Sequence, residues 1–144
     1  MADYRYSVSL RAFHPTMDLG CVSEVLGISP KVLWKLGEPR KTPKGTPLSG
    51  IYETGFWTAR LVDGGSTQQC LPSALSAALD GIAVGSSLFA NITQTGGRVE
   101  LFVGWFFDEG NSGDLFGHSL LGRLASMNVD LSFDVYGEAQ TSDG

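Results

Sequence analysis

Apolar and polar residues alternate strictly at the start of the chain. The apolar positions are Tyr4, Tyr6, Val8, Leu10 and Ala12, and an arginine or a serine stands between each pair. Successive side chains of a β-strand point to opposite faces, so this period of two predicts a strand with one buried and one polar face. The same period over residues 129–135 predicts a last strand of the same kind.

Further strands are predicted in the middle of the chain. Residues 56–62 alternate with Trp57 on the apolar face. Gly96-Gly97 separates two more alternating runs, at 86–95 and 98–107. Two glycines permit positive φ at both central positions of a tight turn, so we predict a β-hairpin here. The second run becomes apolar on both faces, which indicates a strand at the centre of the sheet.

Three segments carry apolar residues at helical spacing. Asp18 can cap a short helix that Gly27 ends. A second helix is predicted from Pro72, which suits the first position of a helix, to Gly81. A third is predicted to start near Asp114. Its apolar stripe is Phe116, Leu120, Leu124 and Met127.

These elements predict an α+β fold. An amphipathic helix buries its stripe by packing on a sheet, so we expect a two-layer sandwich. Its sheet is expected to be mainly antiparallel, with the helices on one face. The connectivity is ferredoxin-like in part, if a short extended piece at 32–36 counts as a strand. We expect a single domain at residues 1–138 and a flexible tail at residues 139–144.

The segment at 28–57 concentrates unusual residues. It contains four of the six prolines, two of the three tryptophans and five of the ten basic residues. One interpretation is a long loop pinned to the core by its tryptophans, with the basic side chains in solvent. The other is a contact surface, since aromatic residues beside basic ones are typical of interface hot spots. The candidate binding residues are Trp34, Lys35, Arg40, Lys41 and Lys44.

Charge is distributed unevenly along the chain, whose net charge is -5. Residues 1–72 contain eight basic and six acidic side chains, whereas residues 73–144 contain two basic and nine acidic ones. The acidic balance disfavours nucleic acid as the main partner. The first residues lack a basic start followed by an apolar run, and no stretch of about 20 apolar residues follows. We therefore expect a cytoplasmic location and no membrane partner.

Short motifs along nearly the whole chain carry a family resemblance. They are Ser9-Leu10-Arg11, Leu26-Gly27-Ile28-Ser29-Pro30, Trp34-Lys35-Leu36-Gly37-Glu38-Pro39, Trp57 and Leu131-Ser132-Phe133-Asp134-Val135-Tyr136. With these motifs the chain resembles the DUF4279 family of uncharacterised bacterial proteins. The resemblance implies a small bacterial intracellular domain, and it implies no activity, cofactor or catalytic residue.

The sequence lacks the familiar reaction motifs. Gly50 and Gly55 have the spacing of a phosphate-binding loop, but Phe56-Trp57 follows where lysine and a hydroxyl are needed. His14 and His118 are isolated in the sequence, so we expect no metal and no cofactor. An enzyme of unknown class that uses His14 or His118 with nearby carboxylates stays open as an alternative.

The leading hypothesis is a non-enzymatic binding domain that contacts another protein through the basic, Trp- and Pro-rich 34–57 segment. An immunity-type protein that neutralises a bacterial toxin is one form of it. A binder of phosphate or oligonucleotide through the same basic loop is a further alternative. The polar face of the sheet is a second candidate surface, if the first and last strands are neighbours. Its residues would be Arg5, Ser7, Ser9 and Arg11 beside Asp130, Ser132 and Asp134.

Overall fold

A computed structural model describes residues 4–63, 69–108, 110 and 112–137. These residues form strands and helices in an α+β arrangement, as the sequence predicts. In chain order the elements are β1 (Tyr4–His14), α1 (Gly20–Leu26), β2 (Val32–Trp34), β3 (Pro39–Lys41), β4 (Pro47–Ile51), β5 (Gly55–Val62), α2 (Leu71–Ile82), a 3-10 turn (Ala83–Gly85), α3 (Ser86–Gln94), β6 (Arg98–Phe107), α4 (His118–Ser126) and β7 (Val129–Tyr136).

Five strands form one sheet in the order β2-β5-β1-β6-β7. All neighbours pair antiparallel except β6 and β7, which are parallel. The predicted central position of β6 is confirmed, because β6 lies between β1 and β7. The predicted α+β sandwich with a mainly antiparallel sheet is therefore confirmed.

The alternation in β1 decides which face of the sheet is buried. Its apolar residues from Tyr4 to Ala12 are at most 2% exposed and share one core cluster with apolar side chains of α1, α2, α3 and α4. Trp57 of β5 lies opposite Ala12 on the same face and is fully buried. The helices thus cover one face, and the other face of the sheet carries the polar positions of β1.

The ferredoxin-like character is partial, as predicted. The succession β1-α1-β2-β5-α2-β6 follows the strand-helix-strand-strand-helix-strand order of that fold. The hairpin formed by β3 and β4 is inserted between β2 and β5. The strands β2, β5, β1 and β6 pair antiparallel in this order, as in a ferredoxin-like sheet, and the departure in the sheet is β7, which pairs parallel with β6 at the edge.

The predicted hairpin around Gly96-Gly97 is wrong. Residues 86–94 form the helix α3 instead of a strand, and α3 buries Phe89 and Ile92. These two side chains are three positions apart, which places them on one helical face, so period two was the wrong period for this run. Gly97 is needed for close approach rather than for a turn. A Cβ there would lie 2.3 Å from the backbone oxygen of Phe13.

Helix boundaries also depart from prediction. The second helix does not end at Gly81, since α2 continues to Ile82 and joins α3 through the 3-10 turn. The third predicted helix begins at His118, four positions later than Asp114. In α1 the predicted end is confirmed, because Gly27 adopts a left-handed conformation with φ of 69° and donates to the Ser23 carbonyl.

The segment predicted as a loop contains structure of its own. β3 and β4 pair antiparallel as a separate two-stranded sheet. Thr42 and Thr46 close its turn, because the Thr42 N–H donates to the Thr46 carbonyl at 2.8 Å and the Thr46 N–H donates to the Thr42 hydroxyl at 3.0 Å. Gly45 and Gly50 supply the positive φ values that this turn and β4 require. We call residues 39–51 the hairpin.

The first and last strands are not neighbours, so the predicted row of Arg5, Ser7, Ser9 and Arg11 beside Asp130, Ser132 and Asp134 does not form. β6 lies between them, and Glu100 of β6 faces Arg11 on one side and Asp130 on the other. The predicted tail at 139–144 lies outside the described residues.

The helical run from Leu71 to Gln94 is long and apolar enough to cross a membrane by length and composition, with a mean hydropathy of 1.4. The core helix of a folded domain has the same properties. Here Leu71, Leu75, Leu79 and Ile82 of α2 are buried in the core cluster with the strands of the sheet. Of the most apolar 18-residue window of the run, 33% is buried, so this packing accounts for part of its apolar composition.

Candidate binding groove on the open sheet face

The face of the sheet opposite the helices carries aromatic and charged side chains. We call it the open face. Strand register places its residues in rows that cross the sheet. They are Val32 and Trp34 of β2; Phe56, Thr58 and Arg60 of β5; Arg5, Ser7, Ser9, Arg11 and Phe13 of β1; Arg98, Glu100, Phe102, Gly104 and Phe106 of β6; and Asp130, Ser132, Asp134 and Tyr136 of β7.

An aromatic stack joins the hairpin end to the open face. The rings of Trp34 and Tyr52 stack with centroids 4.3 Å apart and planes 6° apart, and Phe56 lies against Trp34 at 4.6 Å. The backbone fixes Tyr52, because its N–H donates to the Glu38 carbonyl at 2.9 Å and its carbonyl accepts from Gly37 at 2.8 Å. The three packed rings therefore form one continuous apolar surface at the edge of the sheet.

Tyr52 also orients the first strand of the hairpin. Its hydroxyl donates to the Lys41 carbonyl at 3.1 Å and lies 3.3 Å from the Lys41 N–H. Lys41 follows Arg40, whose guanidinium donates to the Ser49 carbonyl across the hairpin at 3.2 Å. The bonds of Tyr52, together with its stacking on Trp34, connect the hairpin to β2, and the Arg40 bond joins the two strands of the hairpin.

A groove of about 510 Å³ lies between the hairpin and the sheet. Its aromatic part is the Trp34, Tyr52 and Phe56 surface, and Lys31 and Lys41 supply its charge. Val32, Leu33, Thr42 and Pro43 complete the lining. This volume falls within the range of about 300–1,000 Å³ that is usual for ligand pockets. Within the described residues neither lysine is ion-paired to a carboxylate.

A second cavity of about 270 Å³ continues the groove across the open face. The two share Lys31, Val32 and Phe56 as lining residues. The second is also lined by Arg11, Arg60 and Phe102, together with Ser9 and Thr58. We call it the arginine cavity. Together the groove and the arginine cavity run from the hairpin to the middle of the sheet.

Glu100 organises two arginines in the centre of the open face. Its side chain is 6% exposed, and one oxygen accepts from the Arg98 guanidinium at 3.0 Å. The other oxygen lies 3.3 Å from Nε of Arg11. The Arg98 guanidinium lies 4.0 Å from the ring centroid of Phe13. A buried carboxylate needs such partners, and two cations leave this cluster with a net positive charge.

The open face has a positive half and a negative half. Lys31, Lys41, Arg11 and Arg60 line the groove and the arginine cavity. Asp130 and Asp134 lie on the same face at the opposite edge, in β7. The positive half therefore attracts anionic groups, while the β7 edge repels a long polyanion laid across the whole face.

The structure separates the predicted binding residues. Trp34 and Lys41 line the groove. The ammonium of Lys35 lies 3.3 Å from a carboxylate oxygen of Asp18, and Arg40 binds the hairpin backbone. Lys44 is exposed in the hairpin turn. The Gly20 N–H that donates to Asp18, with Lys35 beside it, holds the pKa of the Asp18 carboxyl below its ordinary value.

Sequence reasoning missed the residues that complete the groove. Phe56 and Arg60 alternate with the buried Trp57, so period two already assigned them to the opposite face. Lys31 and Tyr52 carry no such signal. They reach the groove only because β2 pairs with β5 and the hairpin returns Tyr52 onto Trp34.

The two histidines of the enzyme alternative differ in their surroundings, and His14 lines a cavity of about 270 Å³ that Arg98 also lines. His14 is 4% exposed, and its Nδ1 accepts from the N–H groups of Thr16 and Met17 at 3.0 and 2.8 Å. Its Nε2 lies 2.7 Å from the Thr95 hydroxyl. His118 is exposed at the start of α4. Within the described residues neither histidine is ion-paired to a carboxylate.

A metal centre is likewise not formed by the part of the chain that the structure describes. Among these residues no group of three or more histidine, cysteine, aspartate or glutamate side chains could hold a metal ion. Cys21 and Cys70 are free thiols, and burial raises the pKa of the Cys21 thiol.

Comparison with known proteins identifies a family for this chain. No curated protein and no solved structure was found to match it. A family model described as a domain of unknown function, DUF4279, matches residues 4–138. That range includes β1 to β7 and every residue of the groove. The chain therefore belongs to the DUF4279 family.

Proposed function

We propose that this chain is a non-enzymatic binding domain that takes an acidic segment of a partner protein into the groove. The observation that carries the proposal is the combination of three packed aromatic rings with Lys31 and Lys41 in one groove of about 510 Å³. The rings offer apolar contact area, and the lysines offer charge to carboxylates. Aromatic and basic residues together are typical of interface hot spots.

The rigidity of the groove supports binding without rearrangement. Stacking of Trp34 on Tyr52 and the hydrogen bonds between Tyr52 and Lys41 fix one aromatic side and one basic side relative to each other. A preformed surface loses little conformational entropy when a ligand orders on it. The hairpin therefore serves as a wall of the groove rather than as a mobile lid.

Charge favours a protein segment over nucleic acid as the occupant. Asp130 and Asp134 share the open face with the basic groove, and the whole chain has a net charge of -5. A nucleic acid strand carries its charge at every phosphate and would meet this repulsion along its path. An acidic segment of a protein places its carboxylates only where the basic side chains are.

The proposal can be tested with ligands selected on the protein itself. A random library of twelve-residue displayed peptides is panned against the protein, and enriched peptides are synthesised for titration. We expect enrichment of aspartate and glutamate beside aromatic or aliphatic residues. We also expect chemical-shift changes at the Trp34 indole N–H when a selected peptide is added. Oligothymidylate of twelve nucleotides serves as the competing ligand class.

Charge reversals inside and outside the groove locate the binding surface. The Lys31→Glu/Lys41→Glu variant should bind the selected peptide at least about tenfold more weakly, because two attractive contacts become repulsive. Lys44→Glu changes the charge in the same hairpin, but Lys44 is in the exposed turn outside the groove lining. It should stay within about twofold of the unchanged protein. Equal binding by the double variant, or preference for oligothymidylate, would refute the proposal.

A further inference from the structure

We infer that the arginine cavity is a carboxylate subsite, in which Arg11 binds an aspartate or glutamate side chain of the segment held in the groove. This inference rests on the proposed function and specifies the partner further. The partner segment would carry an apolar side chain over Trp34, Tyr52 and Phe56 and a carboxylate farther along, over the middle of the sheet. The two features define a recognition pattern rather than general attraction of acidic chains.

The path from the groove to Arg11 is continuous. Lys31, Val32 and Phe56 line both the groove and the arginine cavity. A segment that lies on the aromatic surface can therefore extend across β5 toward β1 without leaving a lined depression. Arg11 and Arg60 are the cations that it meets there. The cavity of about 270 Å³ has room for a side chain beside the main chain of the ligand.

Aromatic rings hold the Arg11 guanidinium in place. Its central carbon lies 4.6 Å from the ring centroid of Phe102, 5.2 Å from that of Phe13 and 5.8 Å from that of Phe56. The side chain is 29% exposed, although arginine side chains are usually free in solvent. Cation–π contacts with three rings hold the guanidinium in a preorganised position. Such an arginine loses little rotamer freedom when it binds a ligand.

The guanidinium retains donors for a ligand. Nε lies 3.3 Å from Glu100, which is close enough for an ion pair but is not aligned as a hydrogen bond. In the described part of the chain no acceptor is hydrogen-bonded to the two terminal nitrogens of Arg11. Glu100 is also paired with Arg98, so it neutralises only part of the local positive charge. The terminal N–H donors of Arg11 are therefore not engaged by any described side chain and stay available to a ligand, beside a surplus of positive charge.

The chemistry of a guanidinium favours a planar acceptor. Two terminal N–H groups of arginine can bind both oxygens of one carboxylate, which gives a fixed orientation in addition to charge. Arg60, which pairs with Asp63 at 4.0 Å, can move to the same anion because its side chain is 44% exposed. A phosphoryl group has more charge and tetrahedral oxygens, so phosphorylated peptides form a separate arm of the test.

The experiment is a double-mutant cycle between the protein and a selected acidic peptide. Each acidic residue of the peptide is changed in turn to its amide, and each peptide is titrated against the unchanged protein and against Arg11→Gln, Arg11→Lys and Arg60→Gln. We expect one peptide position at which the amide and Arg11→Gln each weaken binding about tenfold and are not additive. Arg11→Lys should restore only part of the affinity, because an ammonium cannot form the two parallel bonds.

Controls separate failure of the subsite from failure of the proposed function. Arg5→Gln removes a cation from the same strand and face, but Arg5 pairs with Asp108 and lies outside the arginine cavity. It should leave binding unchanged. If Arg11→Gln misfolds, Arg60→Gln tests the cavity, because Arg60 is not part of the core. Additive effects at every acidic position, or tighter binding of a phosphoserine peptide, would overturn the carboxylate subsite. Sensitivity to Lys31→Glu/Lys41→Glu would then still support the groove.

Discussion

Substitution of Trp57 tests how the core supports the open face. Trp57 is fully buried and lies between Ala12 of β1 and Leu33 of β2 in adjacent strands. Its indole N–H donates to the Ser23 hydroxyl at 2.8 Å, which ties β5 to α1. Replacement of a buried tryptophan by alanine costs about 3–5 kcal/mol, through lost burial and the cavity that remains. We expect Trp57→Ala to lose that amount.

Two smaller substitutions separate the contributions of the hydrogen bond and of the side-chain volume to this loss of stability. Ser23→Ala removes the hydrogen-bond acceptor, so it should cost about 1–3 kcal/mol if the indole N–H is left unsatisfied. Trp57→Phe keeps an aromatic ring and loses both the hydrogen bond and part of the volume, so its cost should lie between the other two. Total stabilities of domains are about 5–15 kcal/mol. The phenylalanine variant therefore keeps the test measurable if the alanine variant is largely unfolded.

Urea unfolding at 25 °C, followed by far-ultraviolet circular dichroism, measures these differences. Fluorescence is unsuitable as the main probe because both substitutions of Trp57 remove one of the three tryptophans. A loss below about 1 kcal/mol for Trp57→Ala would contradict the reasoning, since it would mean that the side chain is not buried against β1 and α1. An unchanged Ser23→Ala variant would refute the hydrogen bond alone.

Three further predictions concern stability. Gly97→Ala should cost about 1–3 kcal/mol in urea unfolding, because its Cβ would lie 2.3 Å from the Phe13 carbonyl oxygen; an unchanged midpoint would refute the close contact. Gly122→Ala in α4 meets no atom within 4 Å and should stabilise the protein by about 0.5–1 kcal/mol, and a loss would contradict an open helix position. Burial and the hydrogen bond to Asp114 raise the pKa of the Tyr4 phenol above its ordinary value of 10.0. The contribution of Tyr4 is therefore complete below pH 10 and lost at higher pH, so the unfolding midpoint should fall there, and less steeply in Tyr4→Phe.

The alternation of apolar and polar residues in the sequence was sufficient to predict the strands β1 and β5. The alternation from Tyr4 to Ala12 predicted both the strand β1 and the face that it buries, and Trp57 was assigned to the core in the same way. These predictions hold because only one face of the sheet is covered, so every second side chain of a strand is buried and is apolar. The DUF4279 resemblance was also present in the sequence, and the family match over residues 4–138 confirms it.

Period alone could not distinguish helix from strand in the short run before Gly96. The run contains apolar residues at Leu88, Phe89 and Ile92, and the helix α3 resulted. Short apolar runs are compatible with both periods, and the packing of α3 against the sheet decides between them. The predicted turn at Gly96-Gly97 is therefore also wrong. Gly97 allows close contact with β1 and does not form a hairpin turn.

The candidate site, too, could be predicted only in part from the sequence. The sequence alone established where basic and aromatic residues are concentrated, and it contained Trp34 and Lys41 among its candidates. Only the tertiary structure decided that Lys35 pairs with Asp18 instead, and that Arg11 lies beside the groove. The physical reason is that composition along a segment is local. Which side chains share a groove depends on strand pairing and on the return of the hairpin, and both are contacts between residues distant in the chain.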